Sequence, residues 1–195
     1  MKFRDSGMPN EEMWDDFFNP NEIIDKMEIN NSINTILDIG CGYGTFLIPE
    51  SRIIKYIAVG IDIDGEMIKK CKEKIEKENI TKINLLQGDI ANQDTISKLK
   101  LISASFDYIT LFNILHCEEP ISLLKNTYSL LSNNGTVGVI HWKYEKTPRG
   151  PSMDIRPKPE QIIEWAKSVG FFLDKQIDLP PFHYGLIFNI RGEKR

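Results

Sequence analysis

Short apolar runs alternate with amphipathic stretches along most of the chain, and this alternation predicts strands and helices in turn. The apolar runs are rich in β-branched and aromatic residues, as buried strands are. Five of them fall at residues 35–39, 56–61, 83–86, 106–112 and 136–142. Two more, at 171–177 and 184–190, are joined through Pro180 and Pro181 with no helical stretch between them. The last two strands are therefore expected to form an antiparallel hairpin.

The stretches between the strands place apolar residues at helical spacing with charged residues opposite. Asp64 is expected to cap one helix, and Pro120 to open another that ends at Asn133–Gly135 with Leu131 on its apolar face. Further helices are expected at 45–54 and 92–100, and one more is expected to follow the connection that ends at Pro159 and to stop at Gly170. Strands that alternate with helices predict an α/β fold with a doubly wound, mostly parallel sheet.

The first 30 residues carry a different pattern. Trp14, Phe17 and Phe18 fall on one face of a helix, and Asn19-Pro20 breaks it, so a second helix is expected to start near Pro20. These aromatic side chains either pack on the body of the domain or form a helical flap, residues 1–30, that closes over a ligand. In the second interpretation Trp14 contacts the substrate.

Composition narrows the class of protein. The chain has 195 residues with a net charge of −4, so no overall basic field argues for nucleic acid. We find no signal peptide and no apolar run long enough to span a membrane. The three cysteines form no CxxC pair and the three histidines lack ligand spacing, so no metal is expected. A single cytoplasmic domain covering residues 1–195 is the expectation, with its oligomeric state left open.

The strongest candidate for chemistry follows the first strand. Gly40, Gly42 and Gly44 alternate with Cys41 and Tyr43, and glycines there let a ligand approach the backbone closely. In an open α/β sheet this turn lies at the carboxyl ends of the strands, where nucleotide-like ligands bind.

Two acidic residues end the next two strands. Asp62 lies 22 residues after Gly40 and suits hydrogen bonds to two ribose hydroxyls. Asp89 can accept from an adenine amino group, with Ile63 and Ile90 as apolar walls for the base. Each acid alone is also a good helix cap or turn former.

The segments 36–44, 60–63, 87–90 and 106–113 resemble, in order, the first four motifs of class I S-adenosylmethionine-dependent methyltransferases. The resemblance covers residues 33–140, and the small-molecule branch related to quinone-biosynthesis enzymes (type 11) is the most similar. It implies a Rossmann-like seven-stranded sheet of order 3-2-1-4-5-7-6 with strand seven antiparallel. It also implies that S-adenosylmethionine is the cofactor and S-adenosylhomocysteine the product. The residues it assigns to the cofactor are Asp38, Gly40, Cys41, Gly42, Gly44, Asp62, Ile63, Asp89, Ile90 and Asn113.

The acceptor side is expected to include the loop 143–159. Arg149 and Arg156 either clamp an anionic acceptor or fasten the loop by pairing with nearby acids. His116, three residues after the fourth strand, is a candidate general base or a structural histidine. His183 and Tyr184 are candidates for the same rim.

The hypothesis is methyl transfer to a small molecule by in-line displacement. One alternative is a protein that binds the cofactor in a regulatory role without transferring a methyl group. Another is a nicotinamide-dependent oxidoreductase, although its Gly-x-Gly-x-x-Gly pattern is not met, because Thr45 stands where the third glycine belongs.

Overall fold

A computed structural model describes residues 19–190, in which seven strands form one sheet. The strands are β1 (Thr35–Ile39), β2 (Ile57–Asp62), β3 (Ile83–Gln87), β4 (Phe106–Phe112), β5 (Leu131–Trp142), β6 (Phe172–Leu179) and β7 (His183–Asn189). Their order is β3-β2-β1-β4-β5-β7-β6. The first five strands pair in parallel, and β7 is antiparallel to both β5 and β6. The predicted fold class and strand order are confirmed.

The helices are α1 (Pro20–Lys26), α2 (Leu47–Ile53), α3 (Gly65–Lys77), α4 (Gln93–Ile102), α5 (Pro120–Leu130) and α6 (Pro159–Val169). The side chain of Asn19 accepts hydrogen bonds from the first turn of α1, and Asp64 caps α3 as predicted. Within the described residues no helix combines the length and the apolar composition that a bilayer crossing requires. Trp14, Phe17 and Phe18 lie outside the described residues, so the flap stays a prediction.

The sheet separates two apolar clusters, because neighbouring residues of a strand point to opposite faces. In β1, Leu37 and Ile39 contribute to the cluster that includes residues of α4, α5 and α6. Ile36 contributes to the other, which includes residues of α1, α2 and α3. Asp38, two residues after Ile36, therefore faces the side of the sheet that α2 covers.

The boundary between α5 and β5 differs from the expectation. Leu131 is the first residue of β5 and pairs with Phe106, whereas Thr136 pairs with Tyr108, so extra residues of β5 bulge between the two pairs. The segment 132–135 lies in this bulge and does not end the helix. A Cβ at Gly135 would lie 3.1 Å from the Phe106 carbonyl oxygen, which explains why the tight bulge accepts glycine.

Candidate functional site

The glycine turn lies at the carboxyl end of β1 and is fixed to β2. Gly40, Gly42 and Gly44 have φ values of 80°, 52° and 80°, in the left-handed region that favours glycine. The backbone N–H groups of Gly40 and Cys41 both donate to the Ile61 carbonyl, at 2.8 and 3.1 Å. These bonds set the turn beside the end of β2, so the first two predicted motifs meet in space.

Asp62 joins the two strand ends through its carboxylate. One oxygen accepts the Gly42 N–H at 2.9 Å and the other accepts the Asp64 N–H at 2.9 Å. Burial raises the pKa of Asp62, and these two backbone donors oppose the shift. A carboxylate has about four acceptor positions, so Asp62 retains capacity for donors on a ligand.

Asp38 is buried below the turn. Its Oδ1 accepts the Thr110 hydroxyl at 2.8 Å. Burial raises the pKa of Asp38 to about 7, against the lowering effect of the Thr110 hydrogen bond, and the nearby Asp62 raises it further. Asp38 thus titrates close to neutral pH, unlike an ordinary aspartate.

The residues predicted to contact adenine, Asp89, Ile63 and Ile90, are as a group only partly exposed. Asp89 accepts the Ala91 N–H at 2.8 Å, so it has the turn-forming role that was its alternative. Ile63 is 41% exposed next to Asp62 and offers apolar surface to a flat ring. Ile90 belongs to the hydrophobic core, and its carbonyl accepts a hydrogen bond from Asn126.

Asn113 follows β4, the strand beside β1, with a left-handed backbone at φ 56°. Its N–H donates to the Ile140 carbonyl at 2.8 Å. Its side-chain Oδ1 is buried and has no hydrogen-bond partner among the described residues. A Cβ at Gly40 would lie 2.8 Å from the side chain of Ile114, so this corner also packs against the glycine turn.

His116, the candidate base, is buried against a second histidine. The ring centroids of His116 and His141 are 5.5 Å apart, and that of Tyr184 is 6.4 Å from His141. Burial, followed by the proximity of His116, lowers the pKa of His141 well below its usual value. His141 is therefore a neutral ring at neutral pH. In the sequence it is only one of three histidines that lack metal-ligand spacing.

The structure separates His183 from this group. His183 pairs in register with Trp142, and its ring centroid is 4.1 Å from that of Trp142, on the opposite face from His141. Burial lowers the pKa of His183 to about 3, with Arg156 contributing. Tyr184 donates its hydroxyl to the Pro157 carbonyl at 3.2 Å. Both side chains contact the segment 142–157.

Arg156 organises the loop 143–159 from within. Its side chain is 5% exposed, and its guanidinium lies over the Trp142 ring at 5.7 Å. It donates to the hydroxyl of Thr147 and to the carbonyls of Lys143, Glu145, Arg149 and Pro151. The guanidinium is thus committed to the loop backbone, and Arg149, which is exposed, is the better candidate for an acceptor contact.

No group of three or more His, Cys, Asp or Glu side chains in residues 19–190 is arranged to hold a metal ion. The cysteines of this part of the chain form no disulfide bond.

Comparison with known proteins assigns the class. A methyltransferase described as S-adenosylmethionine dependent, from Aquifex aeolicus, superimposes with a TM-score of 0.78. The match covers 90% of this chain and 91% of that protein at 19% identity, and it shows the same fold. The sheet order and strand-end motifs are thus those of the fold of S-adenosylmethionine-dependent methyltransferases. More narrowly, the family described as "Methyltransferase domain" matches residues 36–135, and the chain belongs to it. Membership of this family argues against the nicotinamide-dependent alternative.

The curated relatives match this chain over part of their length. The ribosomal protein L11 methyltransferase of Clostridium botulinum is 29% identical over 112 residues, 55% of this chain and 32% of that protein. A 23S rRNA (uracil-C5) methyltransferase of Vesicomyosocius okutanii is 30% identical over 70 residues, 36% of this chain and 16% of that protein. The chain spans at most about a third of the length of these relatives.

The cofactor of this family is S-adenosylmethionine, and the polar atoms of the site fit it. The cofactor presents hydrogen-bond donors, namely ribose hydroxyls, an ammonium group and an adenine amino group. The site presents acceptors: the Asp62 carboxylate and the buried Oδ1 of Asn113, which lacks a described partner. Ile63 supplies exposed apolar surface next to Asp62.

Proposed function

We propose that this chain transfers a methyl group from S-adenosylmethionine to a small-molecule acceptor by in-line displacement. The observation that carries the proposal is the Asp62 carboxylate, fixed at the end of β2 by the Gly42 and Asp64 N–H groups. An acceptor held rigidly in this position, beside the left-handed glycine turn, suits a ribose diol.

Each proposed cofactor contact follows from a described side chain. Asp62 accepts from the ribose hydroxyls, and the Oδ1 of Asn113 accepts from the ammonium group. Ile63 contacts the adenine ring, and Asp89 keeps its proposed acceptor role beside its turn. The positive φ of Gly40 and Gly44 brings the turn close to the methionine end.

When bound, the cofactor supplies a methyl group already activated on a sulfonium. The chain then has to align the attacking atom and exclude water, and positioning accounts for much of the rate in such reactions. We assign to His116 the role of general base for an acceptor that arrives protonated. The neutral ring of His141 packs beside it and restricts its orientation. Trp14 and Arg149 are the remaining proposed acceptor contacts.

The first test is binding. We expect S-adenosylmethionine and S-adenosylhomocysteine to bind the wild-type chain, and Asp62→Ala to weaken both by about 100-fold, since two charge-assisted bonds are lost. Calorimetric titration measures this directly. Asp174→Ala, on the exposed edge strand β6, is the matched control and should bind like wild type.

Failure to bind either molecule would remove the proposed function. Binding followed by no transfer of labelled methyl to any acceptor would instead favour the regulatory alternative.

A macromolecular acceptor is the second candidate, because the curated relatives are named for a ribosomal protein and a ribosomal RNA. The net charge of −4 favours a small molecule. An acceptor screen should therefore set ribosomal subunits beside a panel of phenols, carboxylic acids and amines. Label that enters only RNA or protein would replace our first candidate with the second.

A further inference from the structure

Glu50, on α2, is a buried acid that the proposed reaction does not use. Its side chain is 0% exposed, and neither carboxyl oxygen has a hydrogen-bond partner among residues 19–190. An ionised carboxylate in such surroundings is strongly unfavourable unless a partner or a proton neutralises it. Glu50 therefore needs an explanation beyond packing.

A second acid lies nearby, below the glycine turn. Asp38 faces the side of the sheet that α2 covers, and its charge raises the pKa of Glu50 in addition to the effect of burial. The described hydrogen bond of the Asp38 side chain comes from the neutral Thr110 hydroxyl. Tyr108 donates its hydroxyl to the Met27 carbonyl, so it is committed elsewhere. We call Asp38 and Glu50 the acid pair.

The other titratable groups around the acid pair do not neutralise it. Asp62 on β2 and Glu28, which acts on Tyr108, are also acids. The thiols of Cys41 and Cys71 face each other between the turn and α3, and Lys74 acts on Cys71. The buried basic side chains of the described residues lie around the carboxyl end of β5 instead; they are His116, His141, Arg156 and His183.

We propose that the acid pair, Asp38 and Glu50, holds one proton in the cofactor-free protein and releases it to solvent when S-adenosylmethionine binds. The inference rests on the proposed cofactor site, in which the methionine end lies by the glycine turn. The O–H bond of the acid pair breaks and the buffer takes up the proton. The positive charge of the ligand then faces two carboxylates in place of one carboxylate and one acid.

The sign of the pH dependence follows from this release. Since the free protein holds one proton more than the complex, affinity should rise with pH, by at most tenfold per pH unit. Burial raises the pKa of Asp38 to about 7, so the rise should be seen below that pH and level off above it.

The test is a proton count by calorimetry. Titration of the whole chain with S-adenosylmethionine, near pH 7 in phosphate and in Tris, separates buffer ionisation heat from binding heat. We expect about half a proton or more to be released per cofactor bound. Glu50→Gln should lose most of this release, whereas Glu164→Gln, an exposed control on α6, should keep it.

A parallel titration with S-adenosylhomocysteine identifies the responsible charge. Proton release with both ligands would assign the effect to the ammonium group that they share. Proton release with S-adenosylmethionine alone would assign the effect to the sulfonium. Either result supports the proposal. Binding without proton release by wild type overturns it, as does undiminished release by Glu50→Gln. If that variant does not fold, the pH dependence of wild-type affinity decides, and a flat profile below pH 7 overturns the proposal. Absence of binding contradicts the proposed function instead.

Discussion

Single residues of the glycine turn have little room for change. A Cβ at Gly44 would lie 2.6 Å from the Cys71 sulfur, and the backbone there has a φ of 80°. Gly170, after α6, shares the left-handed backbone at φ 109°, but a Cβ there would come no nearer than 3.5 Å to Tyr128. Comparing an alanine substitution at each position therefore separates the effect of crowding from the effect of backbone strain.

We expect Gly44→Ala to lower the free energy of unfolding by about 2–4 kcal/mol and to weaken cofactor binding. Gly170→Ala should cost only about 1 kcal/mol, from strain, with binding unchanged. Urea denaturation and calorimetric titration of both variants check this. Equal losses of stability in the two variants would show that crowding against Cys71 adds nothing to the cost of backbone strain at residue 44.

Glu50 also makes stability depend on pH. Its folded-state pKa and that of Asp38 are raised, so the folded chain binds more protons than the unfolded chain from about pH 4 upward. The stability that this uptake contributes is full below pH 4 and is lost as pH rises toward 7. Glu50→Gln should therefore stabilise the chain by about 1–2 kcal/mol at pH 8 and much less at pH 5.

Urea denaturation at the two pH values measures that difference, with Glu164→Gln as the reference variant. A gain from Glu50→Gln of the same size at both pH values would show that Glu50 takes up no proton on folding in this range, which contradicts the prediction.

At the scale of elements, the loop 143–159 depends on one side chain. Arg156 is buried and donates to acceptors along residues 143–151. Arg156→Lys should destabilise the fold by about 2–4 kcal/mol, because an ammonium cannot reproduce the planar fork of donors. Arg149→Lys, at an exposed position, should leave stability unchanged. Thermal unfolding of the two variants provides the comparison, and matching melting temperatures would contradict the assignment.

The sequence predicted those elements whose determinants are local. The strand alternation, the Asp64 cap and the helix from Pro20 follow from periodicity and capping residues. The start of β5 at Leu131 could not be predicted, because it depends on pairing with Phe106, a residue of another strand. Arg156 is a similar case, since the expected carboxylate partners are replaced by main-chain carbonyls that carry no sequence signal.

The candidate site likewise contains residues that the sequence identifies and residues that only the structure reveals. The glycine turn and Asp62 stand out in the sequence because their chemistry requires particular residue types. Glu50 and His141 do not, since an acid in a helix and a histidine in a strand become notable only when burial is known. The left-handed backbone of Asn113, whose N–H donates to the Ile140 carbonyl across the sheet, is likewise visible only in the structure.

At the scale of the whole molecule, the cofactor should stabilise the fold that binds it. With S-adenosylhomocysteine at 100 times its dissociation constant, linkage gives about 2.7 kcal/mol. For a chain of this size we expect a rise in melting temperature of about 5–10 °C. Asp62→Ala should show almost no rise at the same ligand concentration, and a shift as large as that of wild type would place the ligand elsewhere.

Under the proposed function, the way Arg156 holds its loop bears on how acceptor preference can diversify. Four of its five acceptors are main-chain carbonyls, which every amino acid provides whatever its side chain. Homologues that keep this arginine can therefore exchange the exposed residues at 144, 146, 149 and 153 while the loop backbone keeps its path. Randomising those four positions together is a direct route to enzyme libraries with altered acceptor choice on an unchanged scaffold.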